Sequence, residues 1–234
     1  AVQSISNQAD LLKMYREVII MNNEGKYEEA LKLNKELIKL DPQNAIYHNG
    51  LGNTYSNLNR FNEAISEYKT AIVLDPNDAD YHHNLATTLS EMKCYDNAIA
   101  EHKTAIDLDP NDARYHNNLA CTLYEVKRYD EAIAEYQIAI DLDPNDANYH
   151  NNFANTLSEL KRYDEAIAEY QIAIDLDPND ARYHNNLALT LSKMKRFDDA
   201  IAEYKTAIDL DPNDARYHNN FANTLSELKR YDEA

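Results

Sequence analysis

Eight histidines and two cysteines are the side chains of this sequence best suited to hold a metal or act as a nucleophile, and their spacing decides what they can do. Six of the histidines, His48, His82, His116, His150, His184 and His218, recur every 34 residues. Equivalent residues of stacked helices stand about 8–10 Å apart, whereas zinc ligands converge at about 2.0–2.1 Å on one ion. No cysteine or carboxylate accompanies them at ligand spacing, so the expected role is a half-buried ring between paired helices, and no metal site is expected. The pair His82-His83 and His102 are expected at the surface. Cys94 and Cys121 occupy different positions of the period, which predicts free thiols and a reducing, cytoplasmic setting. The run DLDPND, at 107–112, 141–146, 175–180 and 209–214, has the acidity of a calcium loop without its glycine and glutamate: counting from Asp107, the sixth and twelfth places hold Asp112 and Asn118. There is no Gly-rich phosphate loop, activated serine or cysteine, or carboxylate pair, and the chain has only three glycines. No catalytic residue, cofactor or enzymatic activity is expected.

The elements that must position these residues follow from the prolines. Pro42, Pro76, Pro110, Pro144, Pro178 and Pro212 lie 34 residues apart, so the chain is a tandem array. Units of this size cannot bury their own apolar faces and stack on neighbours, leaving a long groove as the useful surface. In residues 113–146, Tyr115, His116, Leu119, Ala120, Leu123 and Val126 have the spacing of an amphipathic helix, followed by a basic turn at Lys127-Arg128. A second stripe runs Tyr129, Ala132, Ile133, Tyr136, Ala139, Ile140 and Leu142, and stops at Asp143-Pro144 because proline bars helical geometry in the residue before it. Ala120 and Ala132 allow the two helices to approach closely, and Asn145-Asp146 are expected to cap the next helix.

Composition narrows the partners. With 41 acidic against 23 basic side chains the net charge is −18, which repels phosphate backbones, so no nucleic acid is expected. No apolar run approaches the roughly 18 residues of a membrane span, and no membrane insertion is expected. The N-terminus AVQSISNQAD has neither the basic region nor the apolar core of a signal peptide, although the absence of Met at position 1 leaves a processed leader open.

In residues 45–78, Leu51, Gly52, Tyr55, Ala64, Tyr68, Ala71 and Pro76 stand at fixed offsets, with equivalents in 79–112, 113–146, 147–180 and 181–214. On these residues the chain resembles the tetratricopeptide repeat family, whose units are 34-residue helix-turn-helix hairpins, and the resemblance covers residues 11–234. It implies an all-α fold, a right-handed α-solenoid or superhelix of stacked repeats. Two departures bear on fine packing: histidine follows tyrosine where the family has a large aromatic, and the small residue of the next turn is mostly Ala. The implied organisation is a lead-in over 1–10, a divergent capping repeat over 11–44 that keeps Tyr27, Ala30 and Pro42, the five full repeats, and a truncated repeat over 215–234. That last segment holds a first helix and the start of a second, and breaks off at Ala234 without a cap.

In this family the first helices line the concave face, which directs attention to their polar positions. Asn84, Asn118, Asn152, Asn186 and Asn220 recur every 34 residues, with Asn117, Asn151, Asn185 and Asn219 just ahead of four of them. The runs NNLA and NNFA are similar to the repeats of O-linked N-acetylglucosamine transferase, in which an asparagine ladder holds the backbone of an extended peptide. An amide offers donor and acceptor together, so one Asn can satisfy both groups of a peptide unit without reading its side chain. Specificity is then expected from positions that vary between repeats: Arg114, Arg182 and Arg216 near the helix start, Asn53, Thr87, Cys121, Asn155, Leu189 and Asn223 one turn after the ladder, and Tyr124 and Lys193. The arginines suggest acidic peptide groups. The carboxylate clamp of chaperone-binding relatives needs a groove lysine where repeats 79–214 have Asn or His, so a chaperone adaptor is not expected.

Two functions follow as expectations. The first is a non-enzymatic scaffold that binds a protein or an extended peptide in its groove. The alternative is a self-assembling solenoid: the uncapped C-terminal end could stack head to tail into a homo-oligomer, or the Lys-Arg turns of one molecule could meet the DLDPND runs of another.

Overall fold

The computed structural model describes residues 8–232 of a chain that divides into two compact units, Ala1–Asn111 and Asp112–Ala234. Thirteen α-helices account for the regular structure of the described residues. The first unit holds α1 (Gln8–Asn23), α2 (Tyr27–Leu40), α3 (Ala45–Asn57), α4 (Phe61–Leu74), α5 (Ala79–Glu91) and α6 (Tyr95–Leu108). The second holds α7 (Ala113–Glu125), α8 (Tyr129–Leu142), α9 (Ala147–Glu159), α10 (Tyr163–Leu176), α11 (Ala181–Lys193), α12 (Phe197–Leu210) and α13 (Ala215–Asp232). Odd helices are the first and even helices the second members of hairpins, and the fold is the all-α stack of helical repeats that the 34-residue period predicts. Of the lead-in, residues 8–10 already belong to α1. Residues 1–7, and Ala234 where the last repeat breaks off, lie outside the described residues.

Each linker is both a stop and a start. Asp143 ends α8 by leaving helical geometry (φ −138°, ψ 88°), as the following proline requires, while its N–H still reaches Ala139 O at 2.9 Å. Asp146 then caps α9 by accepting from Asn148 N at 2.8 Å, which satisfies one of the helix's free donors. Asn145 does not share that task, contrary to the reading from sequence: its own N–H donates to Asp143 Oδ1 at 3.2 Å, tightening the turn instead. Within the hairpins the chain reverses through one left-handed residue, Gly25, Asn59, Lys93, Lys127, Lys161 or Lys195, with φ between 57° and 74°. The paired alanines behave as expected: Ala120 and Ala132 are fully buried, so α7 and α8 pack at short range.

Repeat 45–78 uses glycine for two particular contacts. A Cβ on Gly52 would stand 2.5 Å from the Tyr68 ring, and one on Gly50 would stand 2.7 Å from Tyr15. Gly50 occupies the register of the ladder asparagines, so the divergent hairpin α1–α2 packs where a ladder side chain would otherwise stand. The last repeat departs from expectation at its other end. Instead of a helix, a turn and the start of a second helix, α13 runs unbroken to Asp232 through Lys229-Arg230, the turn of the other repeats. A left-handed lysine costs about 1–2 kcal/mol, and among the described residues no second helix packs back to offset it.

Candidate peptide-binding face on the first helices

In the second unit the asparagines of α7, α9, α11 and α13 form one directed chain of amide hydrogen bonds. Asn220 donates to Asn185 (3.0 Å), Asn185 to Asn186 (3.2 Å), Asn186 to Asn151 (3.0 Å), Asn151 to Asn152 (3.3 Å), Asn152 to Asn117 (3.2 Å) and Asn117 to Asn118 (3.0 Å). In the first unit the same link joins Asn84 to Asn49 at 3.0 Å. Asn117, Asn151 and Asn185 are buried and connect the helices, whereas Asn118, Asn152, Asn186 and Asn220 remain partly exposed. A run of amides bonded in one direction polarises each member and fixes its orientation.

A parallel set of hydroxyls, which the sequence reading did not single out, lies one turn further along. Thr54, Thr88, Thr156, Thr190 and Thr224 are all buried. Ser158 meets Thr190 at 3.0 Å, Ser192 meets Thr224 at 2.8 Å, and Asn22 donates to Thr54 at 3.0 Å. The constant Ser–Thr offset of 32 residues was the available signal.

Positions chosen for their variability are tied to the second helices. Tyr68 donates to Asn53 at 2.8 Å, Tyr136 to Cys121 Sγ at 3.4 Å and Tyr170 to Asn155 at 2.6 Å, always across 15 residues. Burial pushes the Cys121 thiol up and suits it to this accepting role, while Cys94 is exposed at the start of α6. Asn223 is exposed on α13, and Tyr124 lies against Tyr129 with ring centroids 5.5 Å apart. Arg114, Arg182 and Arg216 turn back onto their own helix caps, bonding Asp112, Asp180 and Asp214 at 2.6, 2.5 and 2.5 Å and lying over Tyr115, Tyr183 and Tyr217. Asp180 and Asp214 are held below the usual carboxylate range by these guanidinium bonds. The basic turns are likewise engaged locally: Arg60, Arg128, Arg162 and Arg196 each pair with the carboxylate three residues on.

The registered histidines are clamps between the helices of a hairpin. Nδ1 of His48, His82, His116, His150 and His184 lies 2.7 Å from Oε2 of Glu67, Glu101, Glu135, Glu169 and Glu203 respectively. The Glu169 bond raises the affinity of His150 for its proton. The expectation that His82, His83 and His102 lie at the surface is wrong: they are 9%, 8% and 1% exposed. His102 occupies the register of Tyr68 and Tyr136, and His83 that of Asn49 and Asn117, so both inherit buried positions. Their ring centroids are 5.6 Å apart, and burial lowers the His102 pKa to about 3. No group of three or more histidine, cysteine or carboxylate side chains among the described residues could hold a metal ion.

Cavities repeat along the seams between consecutive first helices. Asn53, Tyr68 and Asn84 line one of 430 Å³ in the first unit. In the second, Tyr124, Asn155, Tyr170 and Asn186 line one of 190 Å³, and Leu189, Tyr204, Asn220 and Asn223 one of 570 Å³.

Hairpins in 34-residue register with this seam are the architecture of a helical-repeat protein, a class that generically serves as a protein–protein interaction scaffold. Models of the TPR repeat match residues 22–59, 57–93, 91–127, 122–161 and 154–195, and further tetratricopeptide models match 181–214 and 203–234, so the chain belongs to the tetratricopeptide repeat family. A search of curated protein sequences finds no match. Among solved structures it is similar to the APC/C hetero-tetramer Cut9-Hcn1 (TM-score 0.80, 22% identity), covering 92% of this chain but 43% of that one. It is also similar to PilF of Pseudomonas aeruginosa (TM-score 0.78, 20% identity, 91% of this chain and 97% of that one). YrrB, a TPR protein with an unusual peptide-binding site, matches with TM-score 0.63 and 20% identity over 80% of this chain and 96% of its own. At these identities the likeness is one of fold. No described helix is long and apolar enough to cross a membrane.

Proposed function

We propose that the first-helix face is a non-catalytic surface that binds an extended peptide segment of a partner protein. The observation that carries the reading is the amide chain. Asn186 donates one N–H to Asn151 and accepts one bond from Asn185, which leaves a second N–H and a second lone pair on a partly exposed amide. That is the complement of one peptide group, held in place before any ligand arrives, and such pre-organisation lowers the entropy lost on binding. Asn152 is more heavily engaged, since it also reaches Cys121 Sγ at 3.6 Å. Each new hydrogen bond contributes only about 0.5–1.5 kcal/mol against an association cost of at least about 4 kcal/mol, so the ladder alone gives weak and tolerant binding. The net charge of −18 disfavours nucleic acid as the partner, and a cytoplasmic setting is part of the proposal.

Selection of a random linear peptide library on the intact chain tests the reading. Peptides should be enriched, and Asn118→Ala, Asn152→Ala and Asn186→Ala together should weaken the best of them on the order of a hundredfold, at about 1 kcal/mol for each lost bond. Absence of enrichment, or undiminished affinity in the triple variant, would overturn it.

A further inference from the structure

We infer that the cavity enclosed by α1, α3 and α5 is a specificity pocket of the first-helix face, and that it takes a lysine or arginine side chain from the bound peptide. This rests on the peptide-binding reading above and adds to it the charge of the ligand.

The divergent hairpin builds the pocket. Gly50 stands where the following first helices carry a ladder asparagine, and its missing Cβ admits the Tyr15 ring, which a Cβ would meet at 2.7 Å. α1 therefore lies against α3, and the turns after Tyr15 bring Ile19, Asn22 and Asn23 to the cavity wall. α3 adds Asn53 and Asn57, and α5 adds Asn84 and Glu91. At 430 Å³ the space lies within the range of about 300–1,000 Å³ typical of ligand pockets.

Most of the polar lining is already bonded. Asn22 donates to Thr54 at 3.0 Å, Asn53 accepts from Tyr68 at 2.8 Å and Asn84 donates to Asn49 at 3.0 Å. Glu91 and Asn57 differ: both are exposed, and among the described residues neither side chain has a hydrogen-bond or ion-pair partner. Glu91 is also the only charged residue that lines the cavity. In the second unit the seam cavities of 190 and 570 Å³ both contain Lys193, which offsets their carboxylates.

The lining has a matching side chain. Ile19, 45% exposed, offers an aliphatic wall, Glu91 a negative end and Asn57 a further acceptor. Lysine and arginine combine an apolar stem that packs on such a wall with a charged head made only of donors. An acidic side chain would meet the charge of Glu91 with no cation in the lining to offset it. Asn84, partly exposed in the same lining, holds the backbone of the residue whose side chain enters.

Peptides selected on the intact chain are expected to share a lysine or arginine at one position. Glu91→Gln, an isosteric change at an exposed site, should leave the melting temperature unchanged and weaken the best peptide about threefold to tenfold. That loss should vanish for a peptide whose basic residue is replaced by glutamine, a coupling that a purely structural role for Glu91 would not produce. Glu125→Gln removes the same charge from the equivalent position of the next repeat, outside the pocket, and should leave the affinity unchanged. Equal losses in the two variants would mean that the overall charge of −18 attracts basic peptides without any pocket. That result, selected peptides with no recurring basic residue, or affinity unchanged by Glu91→Gln would overturn the assignment while leaving the peptide-binding reading standing. If no peptide is selected, both fall.

Discussion

Asn84, Asn152, Asn186 and Asn220 link neighbouring first helices, and under the proposed function the ladder also offers what remains of its amides to a ligand. Asn152→Asp tests the first, because a carboxylate keeps the bond from Asn151 but can donate to neither Asn117 nor Cys121. The variant should lose about 1 kcal/mol in urea denaturation, and unchanged stability would show that the links are incidental. The histidines make the protein pH-sensitive in two opposite directions. His102, held near a pKa of 3 by burial and by the neighbouring His83, binds its proton only in the unfolded chain between that value and the ordinary imidazole value of about 6.5. Its contribution is therefore intact above about pH 6.5 and lost as the pH falls. His150, whose pKa is raised by Glu169, contributes most below about pH 6.5 and loses that contribution as the pH rises through its folded value. Restoring the common residues with His83→Asn and His102→Tyr should raise the urea midpoint at about pH 4.5 more than at about pH 7; an equal change at both would contradict the assignment. At this scale the sequence showed which residues recur and not what they touch. The ladder register was plain, whereas the buried place of His102 was hidden because histidine had replaced the tyrosine that marks the position.

The hairpins owe their reversal to one left-handed residue, and four of the six in this conformation are lysines. For a residue with a Cβ this conformation costs about 1–2 kcal/mol, whereas glycine adopts it freely but loses about 0.5–1 kcal/mol more backbone entropy on folding. Lys127→Gly and Lys161→Gly should each stabilise the second unit by about 0.5–1 kcal/mol, seen as a higher thermal midpoint; a lower midpoint would mean that the lysine side chains hold the turn by other contacts. The helices themselves were almost fully legible, because Asp-Pro stops each second helix and the Asp or Asn two residues after the proline caps the first helix that follows. Lys127-Arg128 could be read as a turn but not as a left-handed one, since lysine carries no such signal. Nor could the sequence show α13 running through Lys229-Arg230, because that turn depends on a helix to receive the reversed chain.

Across the whole chain, the 34-residue period specifies a stack in which each hairpin is stabilised mainly by its neighbours. Hydrogen exchange should therefore be fastest in α13, which packs only against α11 and α12 among the described helices. If a second molecule docks there, raising the concentration should slow exchange in α13, with light scattering growing in parallel; constant exchange at every concentration is the behaviour of a monomeric binder. The period cannot reveal where a stack would be specific, because a strict repeat presents the same side chains in every hairpin. The central claim, that the partly exposed amides of the first helices grip a peptide backbone, is tested most directly by NMR of the intact, 15N-labelled chain titrated with the strongest library-selected peptide. The side-chain amide resonances of Asn186 and Asn220 should shift saturably, while those of Gln137 and Gln171, exposed on the second helices α8 and α10, should stay in place. Shifts confined to the second helices, or a saturable complex that leaves the ladder amides unmoved, would contradict it.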